Sequence, residues 1–396
     1  MDAVVVRHLA HLGELKPESL GALSGGQVYS SPAWLRLLET DQTLEPTYLV
    51  LDRDDRTAAL LPTYRWAGGG DLFTLDCEAH HSFLSDLVPE RAPSREEFFP
   101  TLLVGSLGGF ENGLVLIDPS RTNQLSALRT LLADWHSLAA ATHAPSALMP
   151  FLTPDVAGLV SECLGNRVEL VATAYSAKLE IRWGSFDEYL GSLGDNQRHA
   201  VRREMRAFVE YGCEGVTGRL AEWGSGLAPL LAKLLRRHGR PGDETEVREH
   251  LASLAQALPD ENVVFVALWK GDPIGFVLVI SSHGDLYVYK AGFDYEHSLR
   301  SAAYFNVMFY LPIRFAIDHG YGWLHLGTAA LEPKLRRGAH PQSRWSGYVW
   351  PNSDQGRIGR SARFWNQLQY QRLGELCRRF KIPVSSADDL VFAANM

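Results

Sequence analysis

Apolar positions along the chain follow two rhythms, one of about 3.6 residues and one of about 2, and the switches between them predict the elements. Ser31-Pro-Ala-Trp-Leu-Arg-Leu-Leu-Glu sets a Ser cap and a first-turn Pro ahead of an apolar run, which predicts a helix start. Tyr48-Leu-Val-Leu-Asp and Thr57-Ala-Ala-Leu-Leu-Pro-Thr-Tyr-Arg-Trp read as paired strands turning at Arg53-Asp-Asp-Arg. Leu125, Leu128, Leu131, Leu132, Trp135 and Leu138 recur at helical spacing until Pro145 stops them, and Ser146-Ala-Leu-Met-Pro-Phe reads as a short buried strand. The second half repeats the style. Alternation in Ala172-Thr-Ala-Tyr-Ser-Ala-Lys-Leu-Glu-Ile marks a half-buried strand, and residues 186–193, 196–211, 227–237 and 246–258 have helical spacing. Three strands follow, Val263-Val-Phe-Val-Ala-Leu-Trp, Pro273-Ile-Gly-Phe-Val-Leu-Val-Ile and Asp285-Leu-Tyr-Val-Tyr-Lys, joined at Lys270-Gly-Asp and Ser282-His-Gly. An apolar-faced helix over 302–319 and a strand at Trp323-Leu-His-Leu-Gly-Thr complete the run.

Both halves therefore hold a strand hairpin with flanking helices. At 396 residues the chain exceeds what one core usually supports, so the expected class is α/β (α+β) in two domains, 1–165 and 166–396. Each is expected to be a mixed, mostly antiparallel sheet flanked by helices. Hydrophobic residues at 46% and charged residues at 21% describe an ordinary globular protein. No apolar run reaches the roughly 18 residues of a membrane helix, and Met1-Asp-Ala-Val-Val-Val-Arg does not read as a signal peptide, so a cytoplasmic location is expected. The net charge of −8 is unevenly spread. Residues 1–195 hold 13 Lys and Arg against 26 Asp and Glu, whereas residues 196–396 hold 25 against 20. Positive potential belongs to the second half, which suits a polyanionic ligand there.

Several chemistries lose support. Cys77, Cys163, Cys213 and Cys377 form no CxxC pair. Cys77, His80 and His81 offer three ligand types where a closed zinc site takes four, so no metal is expected. Neither a Gly-x-Ser-x-Gly elbow nor a Walker loop is present, which disfavours a serine hydrolase or an ATP-driven ligase. An amide made without ATP needs a preactivated donor, an ester or a thioester.

The meander, the 302–319 helix and the strand after it resemble the recurring core of the GNAT acyltransferase fold. Ser185-Phe-Asp-Glu-Tyr-Leu-Gly-Ser-Leu, followed by Gln197-Arg-His-Ala-Val-Arg-Arg-Glu-Met-Arg, resembles the helix pair that opens the second domain of FemAB-like proteins. Leu326-Gly-Thr and Lys334-Leu-Arg-Arg-Gly resemble the strand end and basic loop that close it, and Ser31-Pro-Ala-Trp-Leu and Leu60-Leu-Pro-Thr-Tyr resemble its N-terminal domain. The similarity spans residues 25 to 350. It implies tandem GNAT-like domains that form an amide by moving an aminoacyl group from aminoacyl-tRNA to an amine acceptor, a cell-wall precursor or specialised metabolite. It implies tRNA as partner, no DNA, and no bound cofactor. Two alternatives stand beside it: an acyl-CoA-dependent N-acyltransferase, and a non-catalytic module binding tRNA or a peptidoglycan precursor.

The reaction needs an oxyanion stabiliser, a base for the amine and a proton for the leaving group. A bulge in Tyr287-Val-Tyr-Lys-Ala-Gly-Phe would supply backbone amides, with Gly292 allowing close approach. Tyr304 is a candidate proton donor, His325 and His340 are candidate bases, and Asp294 and Glu332 are the carboxylate alternatives, which would otherwise orient Arg or Lys. His325 falls on a strand whose one face leads to a cleft and the other to the core. Positive neighbours of His340 would keep it neutral. Arg300 stands where an acyl-CoA enzyme carries a glycine-rich pyrophosphate turn, but Leu299-Arg-Ser-Ala-Ala-Tyr-Phe-Asn has no glycine. Lys334, Arg336, Arg337 and Arg344, with Arg198, Arg202 and Arg203, are the candidate phosphate contacts. Trp345 and Tyr348 are candidate stacking platforms for a terminal base, with a core-covering strand as the alternative.

Overall fold

The computed structural model describes residues 4–23, 28–68, 77–351 and 356–382. The chain divides into two compact units, residues 1–175 with 342–396, and residues 176–341.

In the first unit, β1 (Val4–Leu9), β2 (Leu44–Arg53) and β3 (Arg56–Trp66) form an antiparallel meander. β4 (Thr101–Val104) pairs antiparallel with β3, the short β5 (Leu116–Ile117) pairs with β3 as well, and β6 (Ser146–Leu152) runs parallel to β4. Joining parallel neighbours requires a crossover. The helix Gln124–Ala141 supplies it, started by the Asn123 side chain, which accepts from the Ser126 amide. Its apolar stripe, Leu128, Leu131, Leu132 and Trp135, is buried against Leu49, Leu61 and Met149 in one core. β7 (Glu169–Glu180) leaves this unit and enters the next.

The second unit has the strand order β7-β12-β11-β10-β9-β8, with β8 (Cys213–Gly218), β9 (Asn262–Trp269), β10 (Asp272–Ser282), β11 (Asp285–Phe293) and β12 (Trp323–His325). Every pairing is antiparallel except β11 with β12. That parallel pair again requires a crossover, formed by the expected 302–319 helix. It is not one regular helix. It runs as Ala303–Phe305, a π-helical stretch Asn306–Tyr310, and Leu311–Asp318. Pro312 explains the break, because it has no N–H to give to the carbonyl four residues earlier and its ring crowds that carbonyl.

A single boundary at 165 does not describe the chain. β13 (His340–Val349) lies between β6 and β7 in the sheet order, pairing antiparallel with β6 from Trp345↔Leu152 to Val349↔Ala147. The C-terminal residues therefore complete the first unit. The helix Gly359–Phe380 belongs to it too, held by Asn366, whose amide accepts from the Ala172 N–H at 2.9 Å and donates to the Leu170 carbonyl at 3.0 Å. Neither this helix nor β8 stood out in the hydrophobic pattern.

Candidate active site where two strands part

The site in the second unit begins with a failure of pairing. β11 and β12 match only at Asp285↔Trp323, Leu286↔Leu324 and Tyr287↔His325. Beyond His325 the chain stays with β7, where the Leu326 N–H donates to the Ala177 carbonyl at 2.8 Å and the Ala177 N–H to the Gly327 carbonyl at 3.1 Å. The β11 edge is left without its parallel neighbour past Tyr287. On its other edge β11 carries the expected bulge: Leu278 pairs with Lys290 and Val279 with Val288, so Tyr289 has no opposite residue. An opened parallel pair beside a bulge offers backbone amides to a ligand oxygen, which is what an oxyanion requires.

The bulge is braced by side chains that the sequence did not single out. The Tyr289 hydroxyl lies 3.0 Å from Nε2 of His250, on the helix Glu244–Ala257, and Lys290 sits over the Tyr289 ring. Burial, then Lys290, push the His250 imidazole down to about 3, so it stays neutral; burial pushes the Tyr289 phenol well above its ordinary value. Gly292 does permit a close approach, but by the protein itself. A Cβ there would stand 2.6 Å from the Leu231 nitrogen and 2.7 Å from the Leu230 carbonyl carbon, so the helix Ala228–Arg237 is what needs this glycine.

Lys334 ends the site on the β12 side. The short helix Leu331–Leu335 turns it inward, leaving it 2% exposed, and Nζ donates to the Gly327 carbonyl at 2.8 Å. Burial alone pushes the ammonium down to about 7. A cation held where the strands part, with a value near neutrality, fits an oxyanion or a leaving oxygen better than a solvent-facing phosphate contact.

Arg337 likewise faces inward. It is 5% exposed; Nη2 meets Glu204 Oε2 at 2.5 Å, Nε and Nη2 donate to the Tyr310 hydroxyl at 3.1 and 2.9 Å, and Nη1 donates to the Pro333 carbonyl at 2.8 Å. The Tyr310 hydroxyl also donates to Glu204, and the guanidinium lies 4.3 Å over the Phe305 ring. This network ties the basic loop to the π-helical stretch and to the helix Asp195–Glu210. Glu204 had a signal in the sequence: within residues 196–209 it is the lone acid among Arg198, Arg202, Arg203 and Arg206.

The other candidates separate by burial. Arg202, Arg203 and Arg300 are exposed. Arg336 is exposed but paired with Glu332 at 2.6 Å, and Arg198 donates to the Leu193 carbonyl at 3.0 Å and lies 3.3 Å from Asp195. Arg344 leaves the list of phosphate contacts. It belongs to the first unit, is 0% exposed, and is bound to Glu111 and to the Phe110 carbonyl, because a guanidinium under a sheet must be neutralised. Trp345 and Tyr348 are not stacking platforms either. Both are 1% exposed, Trp345 donating to Ser343 Oγ at 3.2 Å and Tyr348 lying 3.0 Å from His80 Nδ1. The core-covering alternative describes them, since β13 lies inside its sheet.

Tyr304 is half-buried against Phe293 and Phe305, and burial raises its phenol, which keeps its proton. His325 stacks on Tyr287 at 4.2 Å between centroids, with Asp285 at 3.5 Å. His340 is held low as expected, though burial is the larger cause; Lys178 and Arg182 add to it and Glu180 opposes it. Asp294 caps the helix Tyr295–Arg300, accepting from the Glu296 N–H at 3.0 Å. Burial works to raise its carboxyl, but that amide, Lys233 and His297 outweigh it and the value is lowered, which makes a weak base. Of the residues weighed for a metal, His80 meets Tyr348 and His81 lies 2.9 Å from the Pro93 carbonyl, while the Cys77 side chain lies outside the described residues.

The turn before the crossover helix bears on the donor. Ala302 takes the left-handed conformation, φ 56°, that a glycine would take more easily. The Ala303 N–H is taken by Ser301 Oγ at 3.3 Å and the Phe305 N–H by the Ala302 carbonyl at 3.1 Å. Two of the amides at the turn where a pyrophosphate would sit are thus already bonded.

Comparison with known proteins agrees with the fold. The crystal structure of FemX aligns with a TM-score of 0.56 at 11% identity, covering 93% of this chain and 99% of that one. The structure of L-PGS from Bacillus licheniformis aligns with a TM-score of 0.50 at 11% identity, covering 91% and 97%. At such identities the likeness is one of fold. No curated protein sequence matches. The FemAB-like family profile, described as peptidoglycan biosynthesis/recognition, matches residues 13–361. With most of its length matched, and with the parted strands and basic loop in place, the chain belongs to the FemAB-like family.

Proposed function

We propose that the protein is an aminoacyltransferase that takes an aminoacyl group from tRNA and joins it in amide linkage to an amine acceptor. The observation that carries this reading is Lys334, a buried cation on the Gly327 carbonyl where β11 and β12 part. The acceptor amine, neutral when it attacks, forms the new C–N bond at the ester carbonyl. The Lys334 ammonium and the amides along the open edge of β11 stabilise the resulting oxyanion. As the carbonyl re-forms, the C–O bond to the ribose breaks, the amine loses its proton, and the ribose oxygen leaves as a hydroxyl. Tyr304, a phenol that keeps its proton, is the candidate donor to that oxygen. His340, neutral through burial, is the candidate acceptor of the amine proton.

Arg202, Arg203 and Arg300 provide exposed positive charge in the same unit for the donor's phosphates. The bonded amides at Ala303 and Phe305 weigh against coenzyme A. The deciding experiment mixes the protein with tRNA charged with radiolabelled amino acids and with candidate amines. Label is expected in a base-stable amide, and in far smaller amount with Lys334→Met. No transfer from any charged tRNA, together with turnover of an acyl-CoA, would overturn the reading.

A further inference from the structure

The helix Gly359–Phe380 carries a surface that the acyl-transfer site does not use. Its buried side, Ala362, Asn366, Gln369, Leu373 and Cys377, packs into the first unit. The opposite side follows the same three- and four-residue spacing and is exposed: Arg360, Phe364, Gln367, Gln371, Glu375 and Arg378, flanked by Arg363 and Tyr370. Phe364 is 71% exposed, unusual for a phenylalanine on a helix whose other face is well packed. The helix holds five arginines against the single Glu375. Residues 1–175, which make up most of this unit, hold 11 Lys and Arg against 22 Asp and Glu, so the helix is a positive stripe on an acidic body.

The stripe cannot turn away. Asn366 is bonded at both ends of its amide to Ala172 and Leu170, the Trp365 indole N–H donates to the Ala172 carbonyl at 2.8 Å, and the Tyr175 hydroxyl donates to the Gln369 carbonyl.

We infer that this face docks on an anionic lipid bilayer. Twenty-two residues give a straight edge about 33 Å long. Along that edge guanidinium groups meet headgroup phosphates while Phe364, 71% exposed, enters the interfacial layer, where aromatic rings are favoured. Charge complementarity alone would also admit RNA. A single convex helix lacks the groove in which single strands are held, and a projecting phenylalanine gives nothing to a duplex backbone. The docking brings the protein to a membrane surface, and among the described residues no helix is long and apolar enough to cross one.

The test is cosedimentation of the full-length protein with vesicles of phosphatidylcholine alone and of phosphatidylcholine mixed in equal parts with phosphatidylglycerol. Binding is expected to the mixed vesicles only and to weaken with salt. Replacing Arg360, Arg363 and Arg378 with Ser should weaken it about fivefold per arginine, the equivalent of roughly 1 kcal/mol each. Phe364→Ser should weaken it separately at unchanged charge. All these side chains are exposed, so melting temperature and circular dichroism should remain those of the parent. Equal recovery with and without vesicles overturns the proposal, as does binding that the variants leave intact. Loss in the same variants of tRNA binding, or of a self-association, with no vesicle binding, assigns the face to RNA or to a second copy instead.

Discussion

Lys334 has a folded-state value of about 7 against an ordinary 10.5, a difference that makes two separate predictions. Between those values the unfolded chain binds more protons than the folded one, so stability should rise with pH from about 7 towards 10.5; below about 7 both forms are protonated and this slope vanishes. Lys334→Met should abolish that slope and raise neutral-pH stability by roughly 1–4 kcal/mol, as when apolar residues replace buried charges. Denaturant titrations across pH measure both. The same variant should lose on the order of 100-fold or more in transfer rate, the loss typical for one oxyanion donor. In the parent enzyme the rate should fall as pH rises through about 7 and the ammonium is lost, unless Lys334→Arg carries the charge to higher pH. Ala302 is a second test at this scale. Its left-handed backbone costs an alanine about 1–2 kcal/mol, and a β-branched residue more, so Ala302→Val should destabilise while Ala302→Gly is tolerated. The sequence showed that the turn lacks glycine; only the backbone shows that an alanine takes the glycine conformation.

Among the elements, β11 connects sequence to chemistry most directly. Its bulge was legible in Tyr287-Val-Tyr-Lys-Ala-Gly-Phe, but the brace was not, because His250 and Tyr289 are 39 residues apart. His250→Phe keeps the ring and removes the bond to the Tyr289 hydroxyl. It should lower kcat with little change in KM if the bulge amides serve the transition state, whereas a structural role alone would move only the melting temperature. Gly292→Ala drives a methyl into the backbone of the helix Ala228–Arg237 and should cost about 1–3 kcal/mol, read as a shift in denaturant midpoint. β13 teaches the opposite lesson. Its Trp345 and Tyr348 are interleaved with Arg344, Ser346 and Gly347, a pattern that suits either a binding ribbon or a strand inside a sheet. Local sequence does not distinguish them, because burial depends on β6 and β7 arriving on either side.

At the scale of the whole molecule the C-terminal segment belongs to the unit that the chain began with. Ending the chain at Pro341 would remove β13 from between β6 and β7, exposing both edges and the apolar face they cover. Such a truncation should leave residues 1–175 aggregated or protease-sensitive, although those residues include β1 to β6 and the start of β7. Limited proteolysis would distinguish this from the behaviour of a domain ending at residue 165. The charge asymmetry acts at this scale too. Donor affinity should fall steeply with salt and less steeply after Arg202 and Arg203 are replaced, since each phosphate contact adds to the salt dependence.

The sequence by itself determined the types of most elements, the tandem α/β character, the family resemblance and the basic sign of the second half. These follow from short-range periodicity, cap and turn residues and simple counts, all written within a few turns of chain. Tertiary structure decided which charged and aromatic side chains face solvent and which are buried. It turned Lys334 and Arg337 inward, buried Arg344, Trp345 and Tyr348 on β13, and joined Glu204 to Tyr310. Those outcomes depend on which distant strand or helix packs against each residue, and no local pattern carries that information.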